Sequence, residues 1–179
     1  MVEETPALKK AYLIQGLPSC GKTTFGQQKA AEEGGECLSF DNFFYTVVEP
    51  DEPEKYSFDK RRLRSSSRYF WLQLKSMCDK GISPIYIDQL NLWQEHTWRT
   101  AAFMVERYAY DVQLIETQHP LWLKVKSLLT DRDSNTEEIL AWAHNAVAVN
   151  NDQKIDVETM LSHINRWKFY TIEDIYAKF

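Results

Sequence analysis

The sequence predicts an α/β fold, a parallel sheet covered on both faces by helices, and three observations predict it. Short apolar runs at 11–15 and 84–88 end at Gly16 and on Asp88, as buried strands do. Between them, Leu63, Phe70, Leu74 and Met77 recur at the spacing of an amphipathic helix. Strand-like and helix-like segments alternate through the first two thirds of the chain, the order that right-handed crossovers in a parallel sheet require.

The first strand is Ala11 to Gln15. The glycine-punctuated segment Gly16 to Thr24 then leads into a helix over Phe25 to Glu33, which stops at Gly34-Gly35. Glu36 to Ser39 forms a second short strand that closes on Asp41. Thr46 to Tyr56 is acidic, carries Pro50 and Pro53, and is expected to be a loop. The helix within Phe58 to Lys80 ends at Gly81, and Pro84 to Asp88 is a buried strand finishing on a carboxylate. Trp93 to Tyr108 reads as helix and Val112 to Glu116 as strand. Beyond Pro120 the chain is expected to be all helical, with polar breaks at Thr130 to Thr136 and Asn150 to Lys154. No internal repeat or low-complexity tract is present.

A chain of 179 residues is expected to form one domain, residues 1–179, with enough length to bury a core without metal or disulfide staples. Its 44% hydrophobic and 26% charged residues exclude a disordered chain. The net charge of -5 argues against a general nucleic-acid coat, whose affinity comes from many phosphate contacts, but not against an enzyme acting on a nucleic-acid end. Cys20, Cys37 and Cys78 lack C-x-x-C spacing and point to a reducing compartment. Met1 to Pro6 lacks the basic-then-apolar order of a signal peptide, and no apolar run approaches a membrane span. A soluble, cytoplasmic protein is expected. The histidines His96, His119, His144 and His163 show no zinc-ligand spacing, and neither H-E-x-x-H nor G-x-S-x-G occurs.

The strongest motif is Gly16-Leu17-Pro18-Ser19-Cys20-Gly21-Lys22-Thr23, which fits G-x-x-x-x-G-K-[ST] between a strand and a helix. With glycine near 7% of residues, a chance match in a chain this size is on the order of one per cent or less. The glycines let successive N–H groups turn inward toward phosphate oxygens, and the positive end of the following helix adds to their field. Lys22 is expected on the β- and γ-phosphates and the Thr23 hydroxyl on Mg²⁺. Both ATP and GTP fit such a loop. Cys20 reads first as a small residue filling a tight bend, and second as a thiol whose oxidation blocks nucleotide access.

Asp41 follows the second strand at the edge where the loop opens, so it is a candidate base for an attacking hydroxyl. A turn-capping role is the equal alternative. Asp88, at the end of the third strand, is a candidate to hold Mg²⁺ through water and equally a strand-end turn former, with Asn91 similarly placed. Lys60, Arg61, Arg62, Arg64 and Arg68 form the one dense basic run. A solvated helix surface is its first reading and a grip on acceptor phosphates, RNA or DNA ends, its sharper one. Of the six tryptophans, Trp71, Trp98 and Trp142 are expected in the core or at its rim.

Gly16 to Thr24 resembles the G-L-P-G-S-G-K-[ST]-T loop of the polynucleotide-kinase-like P-loop proteins. That group includes phage polynucleotide kinase, the P-loop domain of the brain cyclic-nucleotide phosphodiesterase and NEDD-binding-protein-like kinases. Ser39 to Phe44 resembles their S-x-D-D-[FY]-[FY] segment, whose first Asp is the general base, and Gly81 to Leu92 their strand and D-N-T-N-L loop. Val157 to Met160, through Arg166-Trp167, resembles the helix that closes such domains on an R-W or R-Y pair. The likeness spans residues 10 to 170. It implies an adenylate-kinase-like fold with a C-terminal helical lid, and ATP-dependent phosphorylation of a hydroxyl, in polynucleotide kinases the 5′-OH of a nucleic acid.

At four positions the chain departs from that pattern. Ser19 stands in place of a loop glycine, and Phe44 where nucleic-acid kinases can carry an arginine for the acceptor phosphate. Leu90 replaces the Thr of D-x-T-N. The R-N pair of the lid is His144-Asn145 here, and an arginine of that kind is worth about 10³ or more in rate. His144 can replace it only when protonated; Arg132 and Arg166 are further candidates. Three activities fit the letters: a nucleic-acid 5′-OH kinase, a kinase for a small hydroxyl compound, and a nucleotide-binding module without turnover.

Overall fold

The computed structural model describes residues 8–46, 55–91, 94–149 and 155–177. Strands β1 (Lys9–Gln15) and β2 (Glu36–Ser39) flank helix α1 (Lys22–Glu33). Strands β3 (Tyr45–Thr46) and β4 (Lys55–Tyr56) precede helix α2 (Leu63–Asp79) and strand β5 (Ile85–Asp88). Helix α3 (Gln94–Tyr108) and strand β6 (Tyr110–Glu116) complete the sheet region, and α4 (Pro120–Leu128), α5 (Thr136–Val149), α6 (Val157–Arg166) and α7 (Ile172–Tyr176) follow.

The main sheet has the order β2-β5-β1-β6 and every pairing in it is parallel. The alternation read from the sequence requires this, because each strand returns to the same edge after a helix. Ala11, Leu13, Ile14, Ile85 and Ile87 are fully buried, as the two short apolar runs predict. From β1 the chain crosses to β2, and from β5 it crosses the other way to β6. The carboxyl ends of β1 and β5 therefore border a topological switch point, where ligands of open α/β sheets bind.

Three apolar clusters hold this frame. Ala11, Leu13, Ile85, Ile87 and Val112 pack with Phe70 and Leu74 of α2 and Met104 of α3. On the α1 side, Ile14 and Tyr86 meet Ala30. The third cluster is helical: Trp122, Val125, Trp142, Ala146, Met160, Ile164 and Trp167 join Leu17 and Cys20 from the loop after β1. Trp142 is core, whereas Trp71 and Trp98 are partly buried against the first cluster, as expected of core or rim residues.

Several boundaries differ from the sequence reading. Helix α1 starts at Lys22 rather than Phe25, because the left-handed Gly21 serves as its N-cap. Strand β6 starts at Tyr110, two residues early. The helix expected within 58–80 starts at Leu63, after a 3₁₀ turn at Lys60–Arg62 whose N-cap is Asp59. Thr46 and Tyr56, expected in a loop, lie in the antiparallel β3–β4 pair, where Tyr45 and Tyr56 form a cross-strand ring contact at 5.2 Å. Lys55 lies in β4 as well, and residues 47–54 of that loop, the break at Asn150 to Lys154 and Trp93 lie outside the described residues. Among the described residues no helix is long and apolar enough to cross a membrane.

Helix α1 crosses the sheet closely at Gly26. A Cβ there would stand 2.7 Å from Ile14 Cδ1 and 2.9 Å from Cys37 Sγ. Overpacking of this kind costs about 1–3 kcal/mol, and better helix propensity returns about 1 kcal/mol. Gly26→Ala is expected to lower stability by up to about 2 kcal/mol in urea unfolding; a raised midpoint would contradict the close packing.

Candidate nucleotide and metal site

The loop after β1 is curled by three positive φ angles: Gly16 at 154°, Ser19 at 65° and Gly21 at 69°. Leu17 and Cys20 turn outward into the helical cluster, so the loop is anchored by apolar side chains on its convex side. A Cβ on Gly16 would meet Lys22 Cγ at 3.3 Å, and one on Gly21 would meet His119 Cδ2 at 3.0 Å. These approaches require glycine at both ends of the motif. Ser19 occupies the left-handed region without that freedom, a strain of about 1–2 kcal/mol.

Lys22 is buried and folds back so that Nζ donates to the Leu17 carbonyl oxygen at 3.1 Å. At the switch point Thr23 Oγ1 donates to Asp88 Oδ2 at 2.5 Å. Asp88 is buried and sits in register with Ile14 on one side and Ser39 on the other. Asn91, also buried, donates from Nδ2 to the Ile14 carbonyl at 2.8 Å and bridges the ends of β1 and β5. Thr23 and Asp88 thus present two hard oxygens on facing elements. Among the described residues no group of three or more His, Cys, Asp or Glu could hold a metal. A donor set so small fits Mg²⁺, which keeps several waters and takes its remaining ligands from phosphate.

Asp41 lies in the 3₁₀ turn Phe40–Phe44, two residues beyond Ser39. Its backbone N–H donates to Ser39 Oγ at 3.3 Å, and Tyr56 Oη donates to its Oδ1 at 3.3 Å. Burial first, and the Asp41 charge second, hold the Tyr56 phenol well above its ordinary range, so it stays a donor. The basic run flanks this turn. Arg62 places its guanidinium 4.6 Å from the Phe43 ring centre, whereas Arg61 is tied to Asp59 by two 3.0 Å bonds. Lys60, Arg61, Arg62, Arg64 and Arg68 are all exposed.

The departures from the family pattern now have places. Phe44 is buried against Phe58 at 5.1 Å and Tyr56 at 6.1 Å, so it serves an aromatic cluster. Leu90 packs against the helical cluster. His144 lies on the exposed face of α5 and makes no hydrogen bond or ion pair with the loop. Arg132 donates to the backbone carbonyls of Asn165 and Trp167 and closes the end of α6. The Cys20 thiol is fully buried, and burial raises it to about 12 against the opposing pull of Lys22. Such a thiol is inert, which favours the bend-filling reading over the redox one.

Spacing alone gave no sign of two further features. Thr24, Phe25 and Gln28 of α1 face Thr117, Gln118 and His119 across an open groove of ≈ 340 Å³ that begins at Gly21. His119 caps α4, its Nδ1 accepting from the Leu121 N–H at 3.3 Å, and thereby packs over Gly21. The other is His163 on α6. Burial, then the charges of Arg166 and Lys22, lower its pKa from the ordinary 6.5. A histidine depressed on folding contributes stability that is full above the unfolded value, about 6.5, and is lost as pH falls through the lower folded value. The melting temperature is therefore expected to fall on acidification below about pH 6.5, and less steeply in His163→Gln. An NMR titration of His163 at or above 6.5 would sink this expectation.

No family model matches the chain. It is similar to NEDD4-binding protein 2 of Homo sapiens, with 26% identity over 137 residues that cover 70% of this chain and 7% of that protein. Among solved structures it is similar to a chain of the Pnkp1/Rnl/Hen1 RNA repair complex, with a TM-score of 0.53 and 14% identity over 100% of this chain and 49% of that one. A chain of the PezAT chromosomal toxin–antitoxin system of Streptococcus pneumoniae gives a TM-score of 0.43 and 12% identity over 99% and 86% of the two chains. The chain thus spans a small part of the curated relative and about half of the RNA-repair chain. In its fold and its relatives it resembles the polynucleotide-kinase-like P-loop proteins, a likeness that rests on the parallel sheet and the loop that leaves it.

Proposed function

We propose that the chain is an ATP-dependent phosphotransferase that moves the γ-phosphoryl group to a hydroxyl, in first place the 5′-OH of a nucleic acid. The observation that carries this is the 2.5 Å contact between Thr23 and Asp88 at the switch point, directly beneath the curled loop. In this reading the loop amides and Lys22 neutralise phosphate charge, and the groove from Gly21 to His119 takes the nucleoside. Thr23 and Asp88 hold Mg²⁺, which when bound neutralises charge between the β- and γ-oxygens. Asp41, kept in place by Ser39 and Tyr56, accepts the proton of the attacking hydroxyl. Most of the rate then comes from positioning and fixed charge rather than covalent chemistry.

The exposed cations that follow the Asp41 turn support a nucleic-acid acceptor: Arg62 stacks on the Phe43 ring, and Arg64 and Arg68 are exposed on the helix that follows. The strain at Ser19 and the exposed histidine, His144, where the family pattern has an arginine favour the second reading, a nucleotide-binding module without turnover.

Transfer from γ-labelled ATP with Mg²⁺ to 5′-OH RNA and DNA oligonucleotides separates them. Wild type is expected to label the oligonucleotide, more weakly as salt rises. Lys22→Ala is expected to lose ATP binding. Asp41→Ala is expected to keep ATP binding and lose transfer by about 10²–10⁴. ATP binding with no transfer to any oligonucleotide would overturn the nucleic-acid acceptor, and no transfer to small hydroxyl compounds either would leave the binding module.

A further inference from the structure

One histidine caps a helix with one ring nitrogen and carries the other to the mouth of the loop after β1. His119 follows β6, and Pro120 after it restricts its backbone to the extended region, where it stands at φ −64° and ψ 134°. Its backbone N–H donates to Thr117 Oγ1 at 3.1 Å, and its Nδ1 accepts from the Leu121 N–H at 3.3 Å as the N-cap of α4. Backbone and ring are both held. A ring nitrogen that accepts carries no proton, so the neutral imidazole has its proton on Nε2. Nε2 is bonded to Cδ2, the ring atom that would stand 3.0 Å from a Cβ on Gly21. Among the described residues Nε2 has no acceptor. A donor of fixed tautomer therefore lies beside the N-cap of α1, where the amide dipoles favour an anion.

The order of the sheet says which part of a nucleotide would meet that donor. Strands β5 and β6 lie on opposite sides of β1. Asp88 ends β5, and Asp41 follows β2 beyond it. In the nucleotide reading the metal, the attacking hydroxyl and the transferring group therefore belong to the β5 side. His119 follows β6 on the other side and shares its groove with Gly21 of the loop and Thr24 of the first turn of α1. The part of the nucleotide that faces it is the part that is not transferred. The other side chains of the groove, Thr24, Phe25, Gln28, Thr117 and Gln118, are uncharged. An oxyanion there is met by the α1 amides and by neutral donors, of which the imidazole is held at both ends.

We infer that His119 holds the α-phosphate of the bound nucleotide through its Nε2–H while its Nδ1 keeps α4 capped. This rests on the nucleotide reading above and adds to it a binding residue outside the glycine-rich motif. One ring then joins the ligand to the first turn of the helical layer, and the cap that starts α4 also fixes which nitrogen can donate. The α-phosphate is common to ATP and ADP. The contact therefore strengthens ground state and transition state alike, and its loss acts on affinity rather than on the rate of transfer.

Substitution separates the two nitrogens. Asparagine places an acceptor near the Nδ1 position and is among the best N-caps, but it has nothing at Nε2. Glutamine reaches the Nε2 position with an amide N–H and leaves the cap unmade. The test is titration calorimetry of the full chain with Mg²⁺·ATP and with Mg²⁺·ADP, beside thermal unfolding without nucleotide. Hydrogen bonds to charged groups correspond to roughly 10- to 100-fold in affinity. His119→Asn is expected to weaken ATP and ADP alike by a factor in that range and to hold the melting temperature. His119→Gln is expected to keep most of the affinity and to melt roughly 2–4 °C lower, the effect of a lost cap. Wild-type affinity in His119→Asn would overturn the inference, and so would a loss confined to ATP. A loss in His119→Gln as large as that in His119→Asn would assign the effect to the cap and overturn it too. Each of these leaves the nucleotide site standing. Failure of the wild type to bind either nucleotide would overturn the nucleotide reading and this inference with it.

Discussion

The contact between Thr23 and Asp88 depends on the whole arrangement of the parallel sheet. Thr23 is the second residue of α1 and Asp88 the last of β5, so their meeting requires β5 beside β1 with Ile14 and Asp88 in register. That register in turn requires the chain to cross from β1 to β2 and return inward to β5. A one-residue slip of either strand would turn Asp88 to the opposite face of the sheet and part the pair. The two crossovers, the close seat of α1 at Gly26 and the buried faces of Ile85 and Ile87 therefore all act on one pair of oxygens.

The loop Gly16–Thr23 belongs to two cores at once. Its N-terminal end continues the buried β1, while Leu17 and Cys20 are built into the helical cluster of Trp122, Trp142 and Trp167. Trp122 and Trp167 meet edge to face at 4.9 Å directly in that cluster. Trp122 Nε1 also donates to Glu116 Oε2 at 3.3 Å, and Lys126 pairs with the same oxygen, so the strand after which α4 begins is tied to the helical layer. Close packing transmits strain. A displacement of α4–α6 would therefore be felt at the loop through Leu17 and Cys20 rather than through a flexible hinge.

The loop and the strand ends were legible because their determinants are local. Gly16, Gly21, Lys22 and Thr23 carry the curl and the polar groups within eight residues, and the apolar runs 11–15 and 84–88 announce buried strands by themselves. What the sequence could not place were contacts between distant segments. His119 over Gly21, α6 against Leu17, and Tyr56 on Asp41 each join residues separated by a crossover or a turn, and no periodicity encodes them. The family pattern offered letters without positions. It marked His144 as the place of a lid cation, but the apolar stripe of Ile139, Trp142 and Ala146 fixes the rotation of α5 and leaves His144 outside. The hairpin pair was missed for a similar reason, since Tyr45 and Tyr56 belong together only once the turn between them closes.

The C-terminal segment shows how the site's frame is fastened from a distance. Tyr170 Oη donates to the Asn91 carbonyl at 2.5 Å and stands 2.6 Å from Thr97 Oγ1, while Asn91 reaches across to Ile14. A phenol far along the chain thus holds the turn that follows Asp88. Six residues later Tyr176 Oη donates to the Val112 carbonyl at 2.7 Å and accepts from the Val112 N–H at 3.1 Å, covering both backbone groups of one residue on the edge strand β6. Ile175, fully buried, presses the same segment into the first apolar cluster. Hydrogen bonds withdrawn in part from water strengthen one another as the dielectric falls, and they cost most when one member is removed. The turn after Asp88, at the carboxyl edge where Asp88 meets Thr23, is therefore held in part by the last described residues of the chain.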